Sequence, residues 1–128
     1  MARSIDLEVI TLTVPASGYL SAAVATGGKT VVGCIAPTGT GVFTATTASI
    51  LLHVSADDTT YNILRDKDGT AEYFTVAANN TYGTMWAEPV AHACYSSVKV
   101  GLYASDYSTA VTQASNRTIK LILASVTG

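Results

Sequence analysis

Charge is scarce in this chain of 128 residues: seven Lys and Arg and nine Asp and Glu make up 12% of it, about half the usual share. A surface for nucleic acid needs clustered basic side chains to neutralise phosphates. Here Arg3, Lys29, Arg65, Lys67, Lys99, Arg117 and Lys120 are scattered and the formal net charge is −2, so no nucleic-acid partner is expected. Long apolar runs are also missing. No stretch approaches the roughly 18 uninterrupted apolar residues of a membrane span, so no membrane partner is expected either. The first eight residues carry Asp6 and Glu8 where a secretion signal would be apolar. The chain is therefore expected to be soluble and made in the cytosol.

Two cysteines, Cys34 and Cys94, are too few for a disulfide framework. In the cytosol they read as free, buried thiols, with a disulfide between them as the alternative. Two histidines and one tryptophan leave little material for a catalytic centre.

What is present is 48% hydrophobic residues and a great deal of Thr and Ser. Threonine suits the exposed side of a strand, because its branched Cβ favours extended backbone while its hydroxyl stays polar. Alternation is pervasive. Ile119, Leu121 and Leu123 fall on one face, as do Val98, Val100 and Leu102, and Ile50, Leu52 and Val54. Period-two patterns put one face on a core and leave the other to solvent or a partner. In the first segment the phase changes: Ile5, Leu7 and Val9 are odd, whereas Ile10, Leu12 and Val14 are even. A β-bulge or a bend between sheets is expected near Val9 and Ile10.

Turn residues recur at short spacing and bound nine strand-length segments, roughly 5–14, 19–25, 29–36, 46–54, 60–64, 70–77, 81–86, 95–103 and 117–126. Residues 107–114 read as the weakest strand region and could hold a short helical turn. The pattern predicts an all-β fold, an antiparallel β-sandwich of jelly-roll type with about eight or nine strands. It is read as a single domain over 1–128, in which residues 1–8 could form an extended N-terminal arm.

Several constellations could carry chemistry. Ser55, Asp57, Asp58 and Tyr61, followed by Asp66, Asp68 and Gly69, read as turn-capping residues. The alternative is a calcium loop, but Lys67 intrudes and the downstream Glu of an EF-hand is missing. His53 lies mid-strand, on the face opposite Ile50, Leu52 and Val54. His92 and Cys94 are two apart, so on a strand they would point the same way as a dyad or half a zinc site. Cys34 and His53 would then have to complete the ligand set. No nucleophile elbow, P-loop or dinucleotide-binding glycine pattern occurs. Catalytic residues, cofactors and metals are therefore expected to be none. Trp86 with Tyr82, Tyr95, Tyr103 and Tyr107 either fills the core and its rim or forms a platform for a sugar or protein. Tyr82, Trp86 and Tyr95 are the candidate contacts, because Trp is enriched in interface hot spots.

The layout resembles small β-sandwich virion proteins of tailed bacteriophages, of the decoration or cement kind. The resemblance lies in Ser21-Ala22-Ala23-Val24, Val32-Gly33-Cys34-Ile35-Ala36-Pro37 and Ala48 to Asp57 with Tyr61-Asn62-Ile63-Leu64 and Asp68-Gly69. It closes on Thr112 to Ile119. Asp58 stands where the hairpin of such proteins often has Gly. The resemblance implies a non-enzymatic subunit of the virion that decorates or cements the capsid through multivalent contacts. It implies the major capsid protein or other virion subunits as partners, and a homo-oligomer. It carries over no functional residue. A carbohydrate-binding, lectin-like module using Trp86 and a neighbouring Tyr is the alternative, and an enzyme is a third.

Overall fold

The structure, a computed structural model, describes residues 4–39, 41–76, 83–86 and 96–127. Among the described residues nine strands run in the order β1 (Ser4–Val14), β2 (Val24–Ala25), β3 (Thr30–Ile35), β4 (Ser49–Ser55), β5 (Asn62–Ile63), β6 (Tyr73–Thr75), β7 (Thr84–Trp86), β8 (Ser97–Tyr103) and β9 (Arg117–Thr127). They form two antiparallel sheets, β1-β9-β3-β7 and β2-β8-β4-β5, with β6 also paired to β4. The pairs nest, β1 with β9, β2 with β8, β3 with β7, and β4 with β5 and β6. Nested pairing shared alternately between two sheets is the jelly-roll arrangement. The expected fold class is the observed one. Residues 105–109 make turns in place of the helical turn considered for 107–114, and Ala110 bridges back to Tyr103.

Alternation explains the core. Leu12, Val14, Ile119, Leu121 and Leu123 bury the inner side of the first sheet against Ile50, Leu52, Val98, Val100 and Leu102 of the second. Each such side chain contributes about 1.5–3 kcal/mol by leaving water. Phe43 and Phe74, from outside the central ladders, close the core further. Cys34 sits within it as a buried free thiol. Burial pushes that thiol up to about 12, so it carries no thiolate at neutral pH.

The expected interruption of β1 does not occur. Its pairing with β9 runs without a slip from Ser4 opposite Thr127 to Val14 opposite Arg117. The irregularity lies instead in β3, where Val31 pairs with Leu123 and Gly33 with Ile122, leaving Val32 as the extra residue. Leu12 and Val14 are buried and Ile10 half-buried, but Asp6, Leu7, Glu8 and Val9 are all exposed. No core covers either face of that half-strand, so a phase change there costs nothing that a bulge would recover. Of residues 1–8, considered as an arm, 4–8 belong to the β1 ladder and 1–3 lie outside the described residues.

Candidate functional site

Of the three expected contact residues, Tyr82 and Tyr95 lie outside the described residues, as do His92 and Cys94. Trp86 is the last residue of β7, which among the described residues is an edge of the first sheet, and it stands opposite Gly33. The aromatic side chains that the structure does bring together lie elsewhere, on the outer side of the second sheet.

That surface is organised by register. Leu51 pairs with Gly101 and His53 with Lys99, while Ser49 pairs with Tyr103. The Tyr103 ring crosses back over Gly101. A Cβ at residue 101 would lie 2.8 Å from Tyr103 Cε1 and 3.0 Å from His53 Nε2, so only glycine leaves room. The Tyr103 hydroxyl and His53 Nε2 are 2.8 Å apart. The two rings stack at 5.8 Å, and Tyr19 meets Tyr103 edge-on at 5.7 Å. Burial, and next the positive charge of Lys99, lower the pKa of His53. Burial raises that of Tyr103 to about 12. Both partners are therefore neutral near pH 7, and their hydrogen bond is a structural clasp. As alternation predicts, His53 points away from Ile50, Leu52 and Val54; it faces the chain's own tyrosines, and all seven residues of β4 are buried.

Two further aromatic contacts flank the clasp. Tyr73 and Tyr107 stack at 4.2 Å, and Tyr73 is 43% exposed. Lys99 Nζ sits 4.3 Å from the centre of the Tyr61 ring, whose hydroxyl lies 2.7 Å from Ser97 Oγ.

The acidic loops behave as turns. Asp57 Oδ1 accepts from the N–H groups of Thr59 and Thr60 and from Ser55 Oγ, each at 2.9 Å. These bonds, that of Thr60 foremost, hold its carboxyl below the usual range. Asp58 adopts φ 61° and accepts from Ser97 Oγ at 2.7 Å and Ser96 Oγ at 2.8 Å, which also lower its pKa. Asp66 Oδ1 accepts from the N–H groups of Asp68 and Thr70, with Gly69 at φ 86° closing the turn. Among the described residues no three His, Cys, Asp or Glu side chains converge on a possible metal position.

Sequence reasoning did not single out Gln113. Its side chain is 1% exposed and fully bonded. Oε1 accepts from Thr44 N–H and Arg117 Nε, and Nε2 donates to Thr47 Oγ1 and the Val111 carbonyl. Its main chain also bonds Ser17 and Gly18. The side-chain amide thus ties the loop before β4 to Val111 and to the start of β9, and the main chain of the same residue adds the loop before β2. No spacing rule marks it; its polarity inside a Ser/Thr-rich segment disguises a buried role.

No protein-family model matches the chain, and no curated protein matches it. Among solved structures it is similar to the SPBc2 prophage-derived protein YomS, with a TM-score of 0.54 and 12% identity over 95% of this chain and 96% of that one. It is more distantly similar to a Bacillus endospore appendage protein (TM-score 0.39, 14% identity, 98% of this chain and 89% of that one). The Yersinia pseudotuberculosis-derived mitogen follows (TM-score 0.36, 8% identity, 92% and 84%). The first likeness shows a shared fold from end to end.

Proposed function

We propose that this chain is a non-enzymatic virion structural subunit that decorates or cements a phage capsid, binding the major capsid protein or its neighbours through many repeated contacts. The carrying observation is the fold match to a prophage-derived protein over 95% of this chain and 96% of that one. Composition supports the reading. With only 12% charged residues, broad Thr/Ser faces can be buried at small desolvation cost, and weak contacts add up when repeated over a lattice. The polar clusters support it too, since His53, Tyr103, Asp57, Asp58 and Gln113 are each engaged in holding loops and strands. Such a subunit would be made in the host bacterial cytoplasm and reside in the virion. Quantitative mass spectrometry of purified virions tests this. The chain should be present in high copy relative to the capsid protein, and its absence would remove the reading.

A lectin-like module is the second reading, favoured by the exposed Tyr73 beside Tyr107. Sugar rings stack on such faces. A fluorescence change on glycan titration, lost in Tyr73→Ala, would support it; a flat titration would discard it.

A further inference from the structure

β3 stops at Ile35, opposite Lys120, whereas β9 begins three residues earlier, at Arg117. Pro37 follows β3, and a proline has no N–H with which to extend the ladder. Beside that uncovered stretch of β9 lie two adjoining hollows. One, of about 280 Å³, is lined by Pro37, Val42, Asn116, Arg117 and Thr118. The other, of about 270 Å³, shares Pro37 and Thr118 and reaches Ile35 and Lys120. Together they make a groove that is apolar at Ile35, Pro37 and Val42 and polar elsewhere.

Its polar groups have donors to spare. Asn116 Oδ1 accepts the Ala16 N–H at 2.8 Å, so its oxygen is engaged while its Nδ2 has no acceptor among the described residues. Arg117 Nε donates to Gln113 Oε1 at 3.0 Å and Nη2 to Thr44 Oγ1 at 3.4 Å. These neutral partners hold the half-buried guanidinium in place without cancelling its charge, and Nη1 has no acceptor among the described residues. Lys120 is exposed. No Asp or Glu lines either hollow, and among the described residues no carboxylate lies within ion-pair distance of Arg117 or Lys120. The two cations are roughly 10 Å apart along the strand. By alternation they leave β9 on opposite faces, and the hollows meet between them at Thr118 and Pro37.

A lining rich in donors and poor in acceptors selects an anion. The apolar residues select more than a bare ion, which gains nothing from Ile35, Pro37 or Val42. Carboxylates carried on a chain that also bears apolar side chains use both. We propose that this groove binds an extended acidic segment of a partner protein. One carboxylate meets Arg117 and Asn116, and a second, about three residues further on, meets Lys120. The side chains between them lie against Ile35, Pro37 and Val42. This inference does not depend on the capsid reading, because it concerns the purified chain and a peptide.

Nuclear magnetic resonance titration of the full chain tests it, using a capped peptide in which two Glu residues flank two Val residues. Amides of Ile35, Ala36, Thr118 and Ile119 should shift saturably, and the binding should weaken as sodium chloride is raised. The same peptide with Gln for Glu should bind far more weakly. Lys120→Glu alters an exposed side chain, so it should leave the circular dichroism spectrum unchanged while weakening the Glu peptide about tenfold. Lys67→Glu makes the same change of net charge in the loop between β5 and β6 and should leave binding as it was. No saturable shift at these amides would overturn the proposal, as would equal binding of the Gln peptide or an equal loss in Lys67→Glu. Inorganic phosphate that shifts the same amides as strongly as the peptide would also overturn it, by reducing the groove to a general anion site.

Discussion

Replacing Gln113 by leucine keeps side-chain volume nearly constant and removes four hydrogen bonds from one buried point. Thr44 N–H and Arg117 Nε are partly buried and can recruit water. Thr47 Oγ1 and the Val111 carbonyl share a buried environment with the amide and lose that donor without a ready substitute. A polar group left dry costs about 1–3 kcal/mol, and the leucine's own burial offsets part of the total, so the net loss should be ~2–3 kcal/mol. At about 2.1 cal/mol/K per residue, a chain of this length has an unfolding entropy near 0.27 kcal/mol/K at its midpoint. The melting temperature should then fall by roughly 7–11 °C. Urea titration read by circular dichroism gives the free energy directly, with an unchanged m-value if the fold is retained. The exposed neighbour Thr112→Ala should stay within about 0.5 kcal/mol of the parent. A Gln113→Leu protein as stable as that control would refute the idea that one amide ties these segments.

Gly101→Ala should destabilise by ~2 kcal/mol or more, because the new methyl group meets Tyr103 and His53; much of that cost should vanish in a Tyr103→Ala background, and an undiminished cost there would count against the steric explanation. For His53 the pKa is lowered on folding, so the unfolded chain takes up the proton first. Stability should fall as pH drops below about 6.5 and level off once the folded form also protonates. Urea midpoints at pH 7.5 and 5 should therefore differ more in the parent than in His53→Gln, and equal differences would contradict the assignment. Asp58→Gly keeps a backbone suited to φ 61° but releases Ser96 and Ser97. Amides at the start of β8 should exchange faster in it, and unchanged protection would deny Asp58 its tethering role.

The sandwich was legible because alternation acts on every strand that faces the core: Ile119, Leu121 and Leu123 could be assigned to one buried face from spacing alone, and they are buried. The turns were legible for a similar reason, since Asp57, Asp66 and Gly69 act through neighbours a few residues away. Long-range relations were not. That Gly101 makes room for Tyr103, and that both face His53 from another strand, depends on register, which spacing does not encode. Nor could spacing show that β1 outruns its core, so the phase change at Val9 and Ile10 suggested a bulge that the strand does not need. The emphasis on Tyr82, Trp86 and Tyr95 followed residue type. The aromatic contacts in the described structure instead fall to Tyr19, Tyr61, Tyr73, Tyr103 and Tyr107.

Adding the purified chain to phage heads that lack it, then sedimenting the heads and counting bound copies, tests the proposed role most directly. A coating subunit saturates at a fixed high copy number per head and stays bound on dilution, because its contacts are repeated across the lattice. Heads that sediment without it at every concentration tried would contradict that role and leave a jelly-roll domain in need of another partner.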